Sequence, residues 1–262
     1  MTTKLLSNRL LRYVNSIPFS LTIKHFYPLS RSLDSRESWD ILRQSHPHFS
    51  ISPEREEWLK AAEGEVKKDG QDGGFIQRAK DVVSVIDKLG AASVFSVGVG
   101  GAGLEYQIKK MRPNIKLVCS EYSRVAVERL TKVFKEADTV VLFDMKDGDW
   151  YQTLDEVGNR RQLYLMYRID IELNNSEFRR IFENMNEAGV QDILIIICGH
   201  LTLRGLFNRL FQRLKWKIEN TPYAFAGYLR TSRTFPRFWK NLYTSKELEF
   251  GGLKGFLLRK LG

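Results

Sequence analysis

The stretch Val94-Phe95-Ser96-Val97-Gly98-Val99-Gly100-Gly101-Ala102-Gly103 decides how this chain is read. An apolar run of strand character enters a cluster of glycines, and residues 104–111 continue with helical spacing. Glycines at such a junction let the backbone turn tightly and let a ligand approach with no Cβ in the way. Gly98, Gly100 and Gly103 satisfy the spacing of a dinucleotide loop, a pattern whose context is worth more than the match itself. The context is favourable: the next strand-like run ends in Cys119-Ser120-Glu121-Tyr122, which sets a carboxylate where both hydroxyls of a ribose can be accepted.

Working outward, residues 75–89 carry an apolar stripe at helical spacing (Phe75, Ile76, Ala79, Val82, Val83, Ile86, Leu89). Strand-like runs follow at 93–97, 116–119, 139–143, 163–169 and 192–198. Helical patterns separate them at 104–111, 124–135, 175–187 and 201–216. Strands apolar on both faces, alternating with helices, predict an α/β fold: a Rossmann-like, doubly wound, mostly parallel sheet between helix layers. Residues 223–230 and 253–259 are expected to close the sheet as an antiparallel hairpin. Before this body, Ser52-Pro53-Glu54 reads as a helix start, followed by Trp58, Leu59, Ala62 and Val66 on one face. The run Asp69-Gly70-Gln71-Asp72-Gly73-Gly74 breaks that pattern. The predicted organisation is a helical extension over 1–74, suited to capping a substrate, and a cofactor-binding body over 75–262. Residues 1–33 hold five cations and no acid, and Leu5, Leu6, Leu10, Tyr13 and Val14 fit a short basic amphipathic helix. That helix is expected to cover the body. A cleaved organellar targeting peptide is the other reading of such a start.

Nicotinamide or flavin dinucleotides and S-adenosylmethionine both suit the glycine loop and Glu121. The third strand-like run favours the second, because it ends in Leu142-Phe143-Asp144-Met145. There an acid can hold an adenine amino group while the apolar neighbour covers the ring. On the loop Gly98–Gly103, Glu121, Asp144 and the expected terminal hairpin, residues 75–262 resemble the class I S-adenosylmethionine-dependent methyltransferases. The resemblance implies a seven-stranded sheet, methyl transfer from S-adenosylmethionine, and a cofactor site built from Gly98, Val99, Gly100, Gly101, Gly103, Glu121, Tyr122, Asp144 and Met145. Two positions depart from it. The family usually has an acid where this chain has Ser96, and often a glycine where it has Ala102, a mild steric change between Gly101 and Gly103.

Ligands in open α/β sheets lie outside the carboxyl ends of the strands. Besides the loop, those ends carry Tyr167-Arg168-Ile169-Asp170 and Gly199-His200. A sulfonium methyl is already activated, so the protein has mainly to align acceptor, methyl and sulfur, with a general base where an oxygen or nitrogen acceptor must lose a proton. Asp170, His200 and Tyr167 are the candidates, although Asp170 also suits a salt bridge to Arg168 and His200 a helix's first turn. No metal is expected: Asp170, Glu172 and Asn174 alternate like any solvent-facing segment leaving a strand. Asn220-Thr221-Pro222-Tyr223 is similar to the motif of amino-directed nucleic-acid methyltransferases, yet it follows the fifth strand rather than the fourth and reads as a turn.

The 262 residues are 43% hydrophobic, enough for a core, and no apolar run approaches the about 20 residues of a membrane-spanning helix. Cys119 and Cys198 both sit in apolar strands, which suits a reducing compartment, and a cytoplasmic location is expected. The net charge of +10 is concentrated: 13 of the 41 basic residues but only three of the 31 acids lie from His200 onward, leaving 28 of each before it. Such a patch attracts phosphates, nucleic acid, acidic glycans or anionic lipid. Within it, Leu203, Leu206, Phe207, Leu210, Phe211 and Leu214 share one helical face, with Arg204, Arg209, Arg213 and Lys215 largely elsewhere. A basic amphipathic helix can lie on a membrane. Six such side chains contribute roughly 9–18 kcal/mol when fully buried, whereas four cations at an anionic surface contribute about 4 kcal/mol. The helix is therefore expected to pack on the sheet. Farther on, residues 228–240 interleave aromatics with cations, which suits stacked bases, stacked sugars or a connection whose charges point to water. The expected acceptor is an oxygen of a small molecule or glycan, anionic if the patch takes part. An RNA acceptor is the second reading, and a non-catalytic nucleotide-binding or membrane-peripheral protein the third.

Overall fold

A computed structural model of the chain describes residues 17–46, 48–63, 74–154 and 161–262. The helix expected around Leu5–Val14, the position of Val66 and the break at 69–73 lie outside them. The elements in chain order are β1 (Thr22–Tyr27), α1 (Arg36–Ser45), α2 (Arg55–Ala62), α3 (Phe75–Leu89), β2 (Ser93–Val97), α4 (Gly103–Met111), β3 (Lys116–Glu121), α5 (Arg124–Val133) and β4 (Thr139–Leu142). They continue with β5 (Gln162–Tyr167), α6 (Asn175–Glu187), β6 (Asp192–Ile196), α7 (Leu203–Ile218), β7 (Ala224–Arg230), β8 (Tyr243–Phe250) and β9 (Leu253–Lys260). A seven-stranded sheet runs in the order β4-β3-β2-β5-β6-β9-β8. Its first five strands are parallel, and β9 enters antiparallel between β6 and β8. The order turns around β2, so the crevice at the switch point opens beside the glycine loop.

Alternation along the strands divides the core in two. Val94, Leu117, Cys119, Leu163, Leu165, Leu194 and Ile196 face one layer, where Trp58, Val82, Ile86, Leu104, Ile108 and Leu130 of the helices cover them. Phe95, Val97, Tyr164, Met166, Ile193 and Ile195 face the other, against Phe178, Ile181, Phe182 and Met185 of α6. Both β2 and β6 are buried at every residue, as a central parallel strand must be. Helix ends follow local chemistry. Asn174 and Glu177 form a capping box at α6, and Gly90 closes α3 in the left-handed conformation. Trp58 and Ala62 of α2 belong to the same core as the sheet, so this part of the N-terminal extension packs into the body.

Three expectations from the tail are corrected. The terminal hairpin is β8 with β9; residues 223–230 do not join it, and β7 instead pairs antiparallel with β1 in a separate two-stranded sheet. The partner missed in sequence, Tyr243–Phe250, is an edge strand whose middle is largely solvent-exposed, so its residues lack the apolar signature used to find the other strands. Second, α7 does not pack on the main sheet, and none of its residues is buried. The space such a helix would fill holds Phe235, Phe238 and Trp239, which lie in the second core layer against Phe178, Phe182 and Phe256. Third, residues 228–240 present no aromatic platform to bases or sugars through those three rings, because they are core residues. The Asn220 turn behaves as expected: Asn220 is left-handed, and the Thr221 N–H returns to the Trp216 carbonyl at 2.9 Å.

This division of labour is measurable in urea unfolding. Trp239→Ala should cost about 3–5 kcal/mol, as for other large core aromatics, whereas Phe207→Ala on α7 should stay within about 0.5 kcal/mol of the native chain. A large loss at Phe207 would mean that α7 is part of the core.

Candidate active site at the carboxyl ends of the sheet

The glycine loop turns as its sequence requires. Gly98 and Gly100 have φ of +64° and +58°, and Cβ atoms there would approach Ile169 Cγ2 at 2.9 Å and Arg43 Nη2 at 3.3 Å. The Val99 N–H donates to the Ser120 carbonyl at 3.1 Å, and the Trp58 indole N–H donates to the Gly101 carbonyl at 2.9 Å, fixing the loop from both sides. Ala102 adopts φ +57° at the start of α4, so its methyl is not a mild change: a left-handed alanine costs roughly 1–2 kcal/mol.

Beside this loop the structure sets Glu121, Tyr122 and Asp144 at neighbouring strand ends, while Met145 turns into the core. Glu121 ends β3, Tyr122 follows it, and Asp144 and Met145 follow the neighbouring β4. The structure adds an element that sequence reading missed. Helix α1 crosses these strand ends and meets the acids with arginines. Arg43 Nη2 lies 3.0 Å from Glu121 Oε1, and Arg36 Nη2 lies 3.7 Å from Asp144 Oδ2 with its guanidinium over the Tyr122 ring. Asp40, one turn from each, accepts from the Ser123 hydroxyl and the Val125 N–H at the start of α5. Met145 itself is buried in the second core layer with Phe95 and Trp150. The signal in the sequence was the spacing Arg36, Asp40, Arg43, one helical face carrying charges complementary to those strand ends.

Ser96 has a partner that makes sense of the departure at its position. Its hydroxyl donates to Glu105 Oε1 at 2.7 Å, so a carboxylate stands beside Ser96 although it arises from α4. Burial pushes Glu105 up to about 7, and its Oε2 has no hydrogen-bond partner.

The three proposed catalytic side chains are placed differently from one another. Asp170 is fully buried, accepting the Cys198 N–H at 2.9 Å and the Gly199 N–H at 2.7 Å, and so ties the turn after β5 to the turn after β6. Its bonds run to this backbone rather than to Arg168. The Tyr167 hydroxyl accepts from Arg78 at 3.0 Å, toward α3. His200 pairs with the Ser232 hydroxyl at 2.6 Å beside Lys254, and burial and that lysine lower its pKa. Glu172, weighed in sequence only as a metal ligand, is the unexpected member. Burial raises its pKa to about 8, with Glu121 and Asp170 adding to the rise and Arg43 and Lys146 opposing it. Those four neighbours place Glu172 within electrostatic reach of both the glycine-loop acid and the β5 turn. Its companion Asn174 is used up capping α6. Among the described residues no group of three His, Cys, Asp or Glu side chains is arranged to hold a metal ion.

The sign of the Glu172 effect on stability follows from proton linkage. Between its ordinary value of 4.5 and about 8 the folded chain holds a proton that the unfolded chain has lost, so stability falls as pH rises through this window. Glu172→Gln removes that loss. Relative to the native chain, the variant should gain stability steadily as pH rises from 5 through about 8 in urea titrations, at up to about 1.4 kcal/mol per pH unit. An unchanged difference across that range would show that Glu172 titrates like a surface acid.

No protein-family model matches the chain, and no curated protein matches it in sequence. Solved structures do match in fold. Magnesium protoporphyrin IX methyltransferase from Synechocystis PCC 6803 with bound SAH superposes at a TM-score of 0.54 and 12% identity, covering 86% of this chain and 98% of that one. PigF with SAH gives 0.54 at 15% identity over 89% of this chain and 64% of its own length. Human N-acetylserotonin methyltransferase gives 0.49 at 16% identity, and this chain spans only 52% of it. With the strand order β4-β3-β2-β5-β6-β9-β8 and the reversed β9, the chain has the Rossmann-like fold of the class I S-adenosylmethionine-dependent methyltransferases.

Proposed function

We propose that the chain is an S-adenosylmethionine-dependent methyltransferase acting on an oxygen of a small molecule or glycan. The observation that carries this reading is the left-handed glycine loop set beside Glu121 at the switch point of the sheet. Two further features fit the cofactor. Glu105 holds an unpartnered buried carboxyl oxygen beside Ser96, an acceptor for an amino group where the strand itself lacks an acid. Gly101 leaves open space at its Cβ position, so backbone and ligand can meet there. One feature must yield: Arg43 spans from Gly100 to Glu121, so ligand entry exchanges that ion pair for contacts of each partner to the ligand.

Bound S-adenosylmethionine supplies a methyl group already activated on a positively charged sulfur. The protein's own residues then have three tasks. Glu121 accepts the ribose hydroxyls, Asp144 faces the base, and Arg43 offers a cation to the carboxylate of the amino-acid end. Helix α1, anchored through Asp40, closes over the strand ends and limits water. Glu172 stands within electrostatic reach of Glu121 and Asp170, and in its ionised form it would serve as the base that an acceptor hydroxyl needs. Asp170 holds the turns that carry this geometry, and Tyr167 and His200 border it. The magnesium protoporphyrin IX methyltransferase that shares this fold was solved with SAH bound, which supports this reading.

Calorimetric titration and thermal melts test the assignment. S-adenosylmethionine should bind and raise the melting temperature, Glu121→Ala should weaken binding at least about tenfold by removing a charge-assisted pair of hydrogen bonds, and Gly100→Arg should abolish it. Stabilisation by NADH in place of S-adenosylmethionine would overturn the cofactor assignment. A labelled-methyl screen over small-molecule, glycan and RNA fractions then identifies the acceptor, with incorporation into RNA alone sinking the small-molecule reading.

A further inference from the structure

Helix α7 has two faces, a mixed one that meets the protein and an apolar one that does not. Leu206, Arg209, Arg213 and Trp216 form the inward stripe. Leu206 packs with Ile17, Leu201 and Leu229, Arg209 donates to the His25 ring, Arg213 lies over the Phe26 ring at 4.5 Å, and Trp216 stacks near Tyr223 at 5.7 Å. These contacts seat the helix on the small β1–β7 sheet. The second stripe consists of Leu203, Phe207, Leu210, Phe211, Leu214 and Ile218, which are 37–73% exposed. At about 100° per residue these six span an arc of roughly 100°, centred roughly 130° from the inward stripe. The apolar face therefore points away from the body of the molecule.

Cations border that face. The 16-residue helix has five, Arg204, Arg209, Arg213, Lys215 and Lys217, and no acid. On the helical projection Arg204 and Lys215 stand on one flank of the exposed stripe and Lys217 on the other, while the nearest acid, Glu219, lies past the helix end, 3.7 Å from Lys215. An uninterrupted stripe of Leu, Phe and Ile between rows of long cations is the arrangement of a helix lying in the plane of an anionic bilayer. The apolar side chains enter the acyl boundary, and lysine stems reach the phosphates. The two competing occupants fit less well. A second copy meeting this face about a twofold axis would bring like-charged rows together. The chain's own sheet is already covered by Phe235, Phe238 and Trp239. The helix is about 24 Å long, and among the described residues no helix is long and apolar enough to cross a membrane, so the geometry is that of surface attachment.

We propose that α7 docks the protein onto anionic membrane surfaces, with Phe207 and Phe211 as the deepest anchors and Lys215 and Lys217 as headgroup contacts. This stands independently of methyl transfer. Each cation near such a surface adds to the attraction, and screening by salt takes it away.

The test is sedimentation of the full chain with vesicles. Phosphatidylcholine vesicles containing phosphatidylglycerol should carry the protein down at least about tenfold better than phosphatidylcholine alone, and added salt should release part of it. Phe207→Ser with Phe211→Ser should reduce binding at least about tenfold while leaving the urea midpoint unchanged, since both rings are exposed. Lys215→Gln with Lys217→Gln should remove much of the preference for phosphatidylglycerol. Failure of the native chain to bind, or equal binding by the double serine variant, would overturn the proposal. So would light scattering that shows a native dimer which the serine variant converts to monomer, because the face would then belong to a second copy.

Discussion

A parallel sheet leaves no strand face free for water, and most of this molecule follows from meeting that demand. Strands β2 and β6 are buried along their whole length, so each layer above and below them must be closed by apolar side chains. On one face α2, α3, α4 and α5 do this with a set led by Trp58, Val82, Leu104 and Leu130. On the other α6 supplies Phe178 and Phe182, and the remaining gap is filled by the short segment around Phe235, Phe238 and Trp239. That last choice releases α7 from the core. Once three aromatic rings have closed the sheet, a 16-residue helix with a wide apolar stripe is left on the outside, and the stripe becomes an outward surface.

The same sheet concentrates charge at its carboxyl ends. Glu121, Asp144, Asp170 and Glu172 all leave the strands or their turns on that side, and four carboxylates together would repel one another at low dielectric. The structure relieves this in two ways. Arg36 and Arg43 reach down from α1, and Asp170 accepts hydrogen bonds from two backbone N–H groups. The pKa of Glu172 is raised to about 8 chiefly by burial, with Glu121 and Asp170 adding to the rise. Buried Arg230 extends the network, donating to Asn175 Oδ1 and to the carbonyls of Asp170 and Leu173, so the β5 turn is held by the strand that also supports α7. The turn after β5 and the outward helix thus share one support.

Much of the body was legible because its signals are local. The strand 93–97 and the helix 175–187 emerged with the bounds read from periodicity, and the glycine loop proved to need the backbone angles that glycine permits. Illegible elements share a physical reason. The edge strand β8 faces water over much of its length and so carries no apolar run. The strand β1 pairs with β7 across about two hundred residues, a register that no neighbouring residue encodes. Arg43 could not be singled out among the chain's many cations, because its partner, Glu121, lies 78 positions away.

By itself, then, the sequence determined the elements whose burial is uniform: a glycine loop after a buried strand, alternating helices and strands, an acid at the end of the second strand of the body. Periodicity records which side of an element is apolar, and for a two-faced buried strand that is nearly the whole answer. What only the tertiary structure decided was which apolar surface covers which. Leu203–Ile218 and residues 235–239 are both apolar enough to close the sheet, and their sequences do not rank them. The compact aromatic trio fits the gap between α6 and β9. The helix, seated on β1 and β7 by its other face, is left looking outward.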